Sequence, residues 1–242
     1  KGIYDIDAFE AALARRVPDS TLLSHDLFEG IFARAGLASD IEVVEDFPTD
    51  YLVAAQRLHR WTRGDWQLLP WVLSGAGHSP RSHVSGIARW KMLDNLRRTL
   101  STPLALAALV GAWFLPFHVA LVWTVFMLAA LALPAFLPVL ADLVPRREWI
   151  TLRSYFSVLG AASAEAGVMT FLNVTFLSHQ AFLMADAIGR TLVRVFITRR
   201  HMLQWVPADQ LTDRTRPGLA GYYGHMLSGP VLAGSMTCGV SL

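Results

Sequence analysis

From Thr99 to Ala141 the chain carries no Asp, Glu, Lys or Arg, and nothing else in it narrows the fold so far. A helix exposed to water shows a charged or polar face, and neither half of this run has one. The run is about twice the ~20 residues that one helical crossing of a bilayer needs, so it predicts two crossings joined by a turn. Leu115-Pro116-Phe117 is the natural turn, because Pro removes a helical donor and clashes with the preceding helical turn. The predicted spans are Thr99 to Leu115 and His118 to Leu140, the second bent at Pro134 or Pro138. The alternative is a pair of helices buried in a protein core.

The charge on either side supports a membrane. The chain is 53% hydrophobic and only 17% charged, against roughly 25% charged in soluble domains. Its formal net charge of +2 hides an asymmetry. Residues 1–50 read as a mildly acidic soluble segment, whereas Tyr51 to Arg98 holds Arg57, Arg60, Arg63, Arg81, Arg89, Lys91, Arg97 and Arg98 against only Asp65 and Asp94. A basic segment beside an apolar run suits an anionic membrane face, and it also suits a diphosphate. Nucleic acid is the poorer partner, since no basic stripe continues past the membrane approach. Arg97-Arg98 and Arg146-Arg147 flank the run, so the positive-inside rule places both outer ends in the cytoplasm. Ala166 to Ala185 is also free of charge but is followed by Arg190, Arg194, Arg199 and Arg200, which predicts a helix lying on or re-entering the cytoplasmic face.

Elsewhere the periodicity is helical. Phe9, Ala12, Leu13 and Val17 predict a helix over Asp7 to Val17, ended by Pro18-Asp19-Ser20. Leu27, Phe28, Ile31 and Phe32 predict another from about Asp26 to Ala35, with Ser24 as N-cap and Gly36 as its stop. Ile41 to Val44 is short and β-branched and predicts a strand. After Phe47-Pro48, Tyr51 to about Leu73 reads as a long helix rich in Trp and Arg, and Ser74 to Gly86 reads as a loop. The expected organisation is 1–98 as a soluble part with interfacial helices, 99–145 as the hairpin, 146–216 as amphipathic or re-entrant helices and 217–242 as a flexible tail. The single Cys238 excludes an internal disulfide. The opening Lys1-Gly2-Ile3 is neither an initiator Met nor a signal peptide, and the chain reads as a piece of a larger protein.

Two groups of residues carry chemistry. Asp26, preceded by His25, stands in the first turn of its predicted helix. Such a carboxylate can take a proton from a hydroxyl held within about 3 Å, or it can simply stabilise the helix dipole. Arg57, Arg60 and Trp61 stand at i, i+3 and i+4 of the next long helix and face one side. Two guanidiniums can fork onto a diphosphate while an indole stacks on a sugar ring; the same residues also suit headgroup anchoring. Asp5-Ile6-Asp7 spells a metal-holding Asp-x-Asp, but only Gly2-Ile3-Tyr4 precedes it where a buried strand should, so it reads as a helix cap. His59, His78, His83, His118 and His179 lack zinc-ligand spacing, and no metal site is assigned. No nucleophile elbow or phosphate loop appears, which argues against a hydrolase or an ATPase.

Taken in order, Leu23-Ser24-His25-Asp26-Leu27-Phe28-Glu29-Gly30, Ser39-Asp40, Phe47-Pro48, Arg57-x-x-Arg60-Trp61, Arg63-Gly64-Asp65-Trp66-Gln67, Trp90 to Arg98, and Asp186 to Arg200 with Leu203 and Trp205 resemble the processive membrane glycosyltransferases, in particular the cyclic β-1,2-glucan synthases. The resemblance covers about residues 1–210. It implies a mainly α membrane protein, made of the C-terminal part of a GT-A-like α/β glycosyltransferase domain followed by a transmembrane helical hairpin and interfacial helices, in a bacterial inner membrane, multi-pass, with the soluble segments cytoplasmic. It implies inverting transfer of glucose from UDP-glucose to a growing β-1,2-glucan, with Asp26 as catalytic base, Arg57 and Arg60 on the diphosphate and Trp61 on the acceptor. His25, Glu29 and Asp65, inside the same motifs, become supporting residues.

A Mg or Mn ion is implied for the full enzyme, with its ligands and the uridine-binding strand upstream and a phosphorylase-like module downstream. The chain alone should hold half an active site. Gln56 stands one position too early to open the Gln/Arg-x-x-Arg-Trp motif, so Arg57 takes that place, and the tail after Gly218 is unlike the family. Rival readings are a cellulose-like or linear glucan synthase, and a noncatalytic membrane scaffold or transporter subunit.

Overall fold

The computed structural model describes residues 5–14, 16, 22, 25–34, 36, 38–44, 49–74, 84–143, 151–204 and 219–227. These form two compact units, the first drawn from residues 1–101 and 183–224, the second from 102–182 and 225–242.

Among the described residues there are helices and no strand. The expected part of a GT-A-like α/β domain is therefore not what the described residues form. Helix α1 spans Ile6–Leu13, α2 Asp26–Ala33, α3 Tyr51–Gln67, α4 Leu69–Ser74 and α5 Gly86–Gly111. A 3₁₀ turn at Ala112–Phe114 leads to α6, Phe117–Ala141. Helix α7, Leu152–Leu192, continues as a π-helical turn over Val193–Thr198, and α8 spans Leu219–Met226. The predicted strand at Ile41 to Val44 is irregular, and Ile41, Val43 and Val44 are exposed. A β-branched run with no partner strand has no ladder to join, so its propensity goes unused.

Local chemistry explains the helix ends. Asp5 caps α1, its carboxylate accepting from Ala8 N at 2.8 Å. The expected Ser24 cap lies outside the described residues; His25 occupies the N-cap of α2, and Arg34 at φ 56° takes the left-handed closing position expected of Gly36. The long helix expected from Tyr51 to Leu73 breaks at Leu68, whose N–H turns to Asp65 O. Pro70 lies just beyond it: it has no N–H to donate, and it is tolerated only in the first turn of the next helix.

The core of the first unit gathers Phe28 of α2, Trp66 of α3, Leu68 at the break, Trp71 and Val72 of α4, Val84, the α5 seam Ala88, Met92 and Leu96, and Ile188 of α7. That seam repeats every four residues, which keeps one helix face against the core. Trp71 meets Phe28 edge-on at 5.2 Å. Arg89 donates twice to Val72 O, at 3.1 and 2.7 Å, and so satisfies a carbonyl near the end of α4. Buried Trp66 donates Nε1 to buried Thr99 Oγ1 at 2.9 Å, which fastens α3 to α5.

In the second unit the turn falls where expected, with Leu115 extended and Pro116 opening α6. Trp123 Nε1 donates to Ala108 O across it at 2.9 Å. Two crossings are nevertheless not supported. Among the described residues only α6 is long and apolar enough to cross, with mean hydropathy 2.3 and none of its apolar window buried; its 25 residues reach roughly 37 Å. The charge-free helical part of α5, Thr99 to Gly111, reaches only about 20 Å at 1.5 Å per residue, short of the ~30 Å hydrocarbon layer. Among the described residues one candidate helix stands where a hairpin of two was expected, and a multi-pass arrangement is not supported. Ala166 to Ala185 lies within α7, a single helix of 41 residues. The flank Arg146-Arg147 lies outside the described residues.

Candidate functional site

Helix α3 organises the candidate residues. Asp50 opens it, its Oδ1 accepting from Leu52 N at 2.8 Å and Val53 N at 3.3 Å. Tyr222 of α8 donates its hydroxyl to Asp50 Oδ2, and that bond, aided by the two backbone donors, holds the Asp50 carboxyl below its ordinary range. Leu52, Val53, Ala55, Thr62, Gly64, Trp66 and Gln67 are buried, while Arg57, Arg60 and Arg63 are half-buried and Trp61 is exposed.

Arg57 and Trp61 meet directly. The Arg57 guanidinium carbon lies 4.4 Å from the Trp61 ring centroid, within cation–π range. Trp61 is still 49% exposed, so one indole face carries the cation while much of the ring remains open. Arg60 is half-buried beside them. Asp26 is exposed as the first residue of α2.

The supporting residues are tied together. His25 Nε2 lies 2.9 Å from Asp65 Oδ1, and Glu29 Oε1 accepts from His25 N at 3.2 Å. Asp65 stands one helical turn beyond Trp61, so the two share a face of α3. Asp26 is thus connected to that face through its neighbour His25.

Several participants were not legible in the sequence. Asn95 of α5 donates Nδ2 to the same Asp65 oxygen at 2.9 Å. Gly64 leaves room for the His25 ring; a Cβ there would lie 3.3 Å from His25 Cδ2. His59, between the motif arginines, meets Asp186 of α7 at 3.1 Å, and Arg190 Nε meets the other Asp186 oxygen at 2.7 Å. Burial pushes the His59 pKa below its ordinary value despite the hydrogen bond and charge of Asp186. Burial works to raise Asp186, but the bonds from Arg190 and His59 outweigh it and hold that carboxyl low. Arg63 NH1 donates to Gln204 O at 2.8 Å and Gln67 to Met202 O at 2.9 Å, and burial with nearby Arg194 and Arg190 lowers the Arg63 pKa. Asp186 and Arg190, at i and i+4, are a readable pair. The link from His59 across 127 residues has no local signature.

An open recess of about 460 Å³ lies at the end of α7, lined by Arg190, Arg194, Thr198, Arg200 and His201 among others. Its lining is cationic. Among the described residues no three of His, Cys, Asp and Glu gather as metal ligands. Asp5, of the Asp-x-Asp, is occupied as a helix cap.

No family model matches the chain. It is 41% identical over 234 residues to the cyclic beta-(1,2)-glucan synthase NdvB of Rhizobium meliloti (strain 1021), an alignment covering 96% of this chain and 8% of that protein. The chain is homologous to a segment of a cyclic β-(1,2)-glucan synthase. The motif resemblance from His25-Asp26 to Arg57-x-x-Arg60-Trp61 lies inside that alignment's reach. Because the chain spans only 8% of the relative's length, the homology speaks for a segment and not for the whole synthase.

Proposed function

We propose that this chain is the acceptor-side, membrane-proximal segment of a glycosyltransferase that moves glucose from UDP-glucose onto a growing β-1,2-glucan at the cytoplasmic face of a membrane, with inversion. The observation that carries the reading is the 41% identity to a cyclic β-(1,2)-glucan synthase over nearly the whole chain. In this reading Asp26 removes the proton from the acceptor 2-hydroxyl while that oxygen attacks the anomeric carbon. The bond from that carbon to the diphosphate breaks, and UDP leaves with the electron pair. Arg57 and Arg60 stabilise the departing diphosphate, which is the larger electrostatic task. Trp61 seats the glucan end on the indole face opposite Arg57. Helix α6 is the candidate membrane anchor, and the uridine-binding parts lie elsewhere in the longer protein, together with any divalent ion.

Support comes from the arrangement as well as the identity. An exposed carboxylate at the start of α2 is linked through His25 and Asp65 to the helix bearing two arginines and a half-exposed Trp. The test is glucose incorporation from labelled UDP-glucose in membranes bearing the intact protein. Arg57→Ala and Arg60→Ala should lower kcat, because their charge acts most strongly on the leaving group. Trp61→Ala should raise the KM for the glucan acceptor more than that for UDP-glucose. Wild-type rates in all three variants would end the assignment.

A further inference from the structure

We propose that His25 is a positioning residue for the transfer, acting through Asp65 and Asn95 to fix the direction of Asp26. The proposal rests on the reading of Asp26 as the base. It starts from a mismatch at the N-cap of α2. Ser, Thr, Asp and Asn are favoured there because their short side chains cap the helix. His25 makes no side-chain cap bond. The first turn is instead closed by Glu29, which accepts from His25 N. Helix stability therefore does not explain a histidine at this position, and its side chain is committed elsewhere.

That commitment is to α3 and α5. The His25 side chain is only 11% exposed, and its ring lies against Gly64, where a Cβ would come within 3.3 Å. Its Nε2 faces Asp65 Oδ1, the oxygen that also accepts from Asn95. A carboxylate oxygen only accepts, so we assign a proton to Nε2. Nδ1 is buried without a hydrogen-bond partner among the described residues. Leaving a ring nitrogen unsatisfied carries a desolvation cost, so the ring's favourable bonding lies at Nε2. Asn95, Asp65 and His25 thus form one line of bonds across α5, α3 and α2, and the next residue in the chain is Asp26. The line fixes where the backbone of Asp26 stands relative to the α3 face bearing Arg57 and Trp61. His25 itself touches neither substrate nor the reacting atoms.

The test uses the intact protein in membranes, with initial rates measured across UDP-glucose concentration. His25→Phe keeps the ring size and removes the Nε2 donor; it should lower kcat about 10- to 100-fold, the scale of an ångström-size misplacement, with the KM for UDP-glucose little changed. His25→Gln places an amide N–H near the Nε2 position and should recover most of kcat, whereas the shorter His25→Asn should not. Combined with Asp65→Ala, His25→Phe should fall no further than it does alone, because both remove the same link. A Gln variant as slow as Phe, a KM rising together with the loss of kcat, or multiplicative effects in the double variant would each overturn the proposal. If Phe fails to accumulate in membranes, the comparison of Gln with Asn decides it in the same way. Asp26→Asn is measured in parallel. Full activity in that variant sinks the catalytic reading, whereas a dead Asp26→Asn beside a fully active His25→Phe sinks only the positioning role.

Discussion

Replacing Thr99 by Val should destabilise the first unit although it adds apolar surface. Thr99 is 7% exposed and Trp66 8% exposed, and the Thr99 hydroxyl both accepts from Trp66 Nε1 and donates to Leu96 O, each at 2.9 Å. Valine has nearly the same shape, so it opens no cavity. It leaves the indole N–H buried and unpaired, which costs about 1–3 kcal/mol. Thr99→Ser keeps the hydroxyl and loses one buried methyl, worth about 0.8 kcal/mol. The order expected from hydrogen bonding is therefore wild type, then Ser, then Val; the order from apolar burial alone puts Val first. Urea unfolding in mild detergent, followed by Trp fluorescence, measures both variants. Trp66→Phe in the Thr99→Val background closes a cycle, and the coupling should recover on the order of 1 kcal/mol. A Val variant as stable as wild type would refute the claim that this bond fastens α3 to α5 beneath the candidate site.

Other substitutions probe other contacts. Gly64→Ala in an open helix would gain about 1 kcal/mol, but the 3.3 Å approach to His25 should cancel most of that gain and lower transfer activity; thermal unfolding and rate assays on one preparation check both. His59 has a folded pKa below its ordinary value, chiefly from burial. Its contribution is therefore present above the unfolded pKa of about 6.5 and is lost as pH falls below it, since the unfolded chain binds the proton more readily. Stability measured from pH 8 to 5 should fall for wild type and fall less for His59→Gln. Leu128→Arg, near the middle of α6, should oppose insertion by about 2.5–3.5 kcal/mol, read as a loss of membrane-integrated product in translation with microsomes or inverted vesicles.

Much of the first unit's helical pattern was readable in the sequence, and the reasons differ by element. Helix α2 follows from its apolar spacing, and its start at Asp26 agrees with the predicted first turn. The single helix expected from Tyr51 to Leu73 was wrong, since the chain breaks at Leu68; Pro70 was the signal that could have located the break. The strand at Ile41 to Val44 failed because propensity says nothing about whether a partner exists. The second crossing failed on length: absence of charge was counted from Thr99, but the 3₁₀ turn at Ala112 ends the helix before it can span. Within the candidate site, residues close in sequence were found. Arg57 and Trp61 meet as their i, i+4 spacing requires. Asn95 and Asp186 were missed because their partners lie 30 and 127 residues away, and no local period records such a contact.

The most direct measurement is the turnover of Asp26→Asn at saturating UDP-glucose and acceptor, in membranes carrying equal amounts of intact protein. Asparagine keeps the size of the side chain and cannot accept the hydroxyl proton. If the start of α2 supplies the base, the rate should fall by about 10²- to 10⁴-fold while bound UDP-glucose is retained. A rate within about twofold of wild type, against the loss expected from a removed general base, would contradict the account.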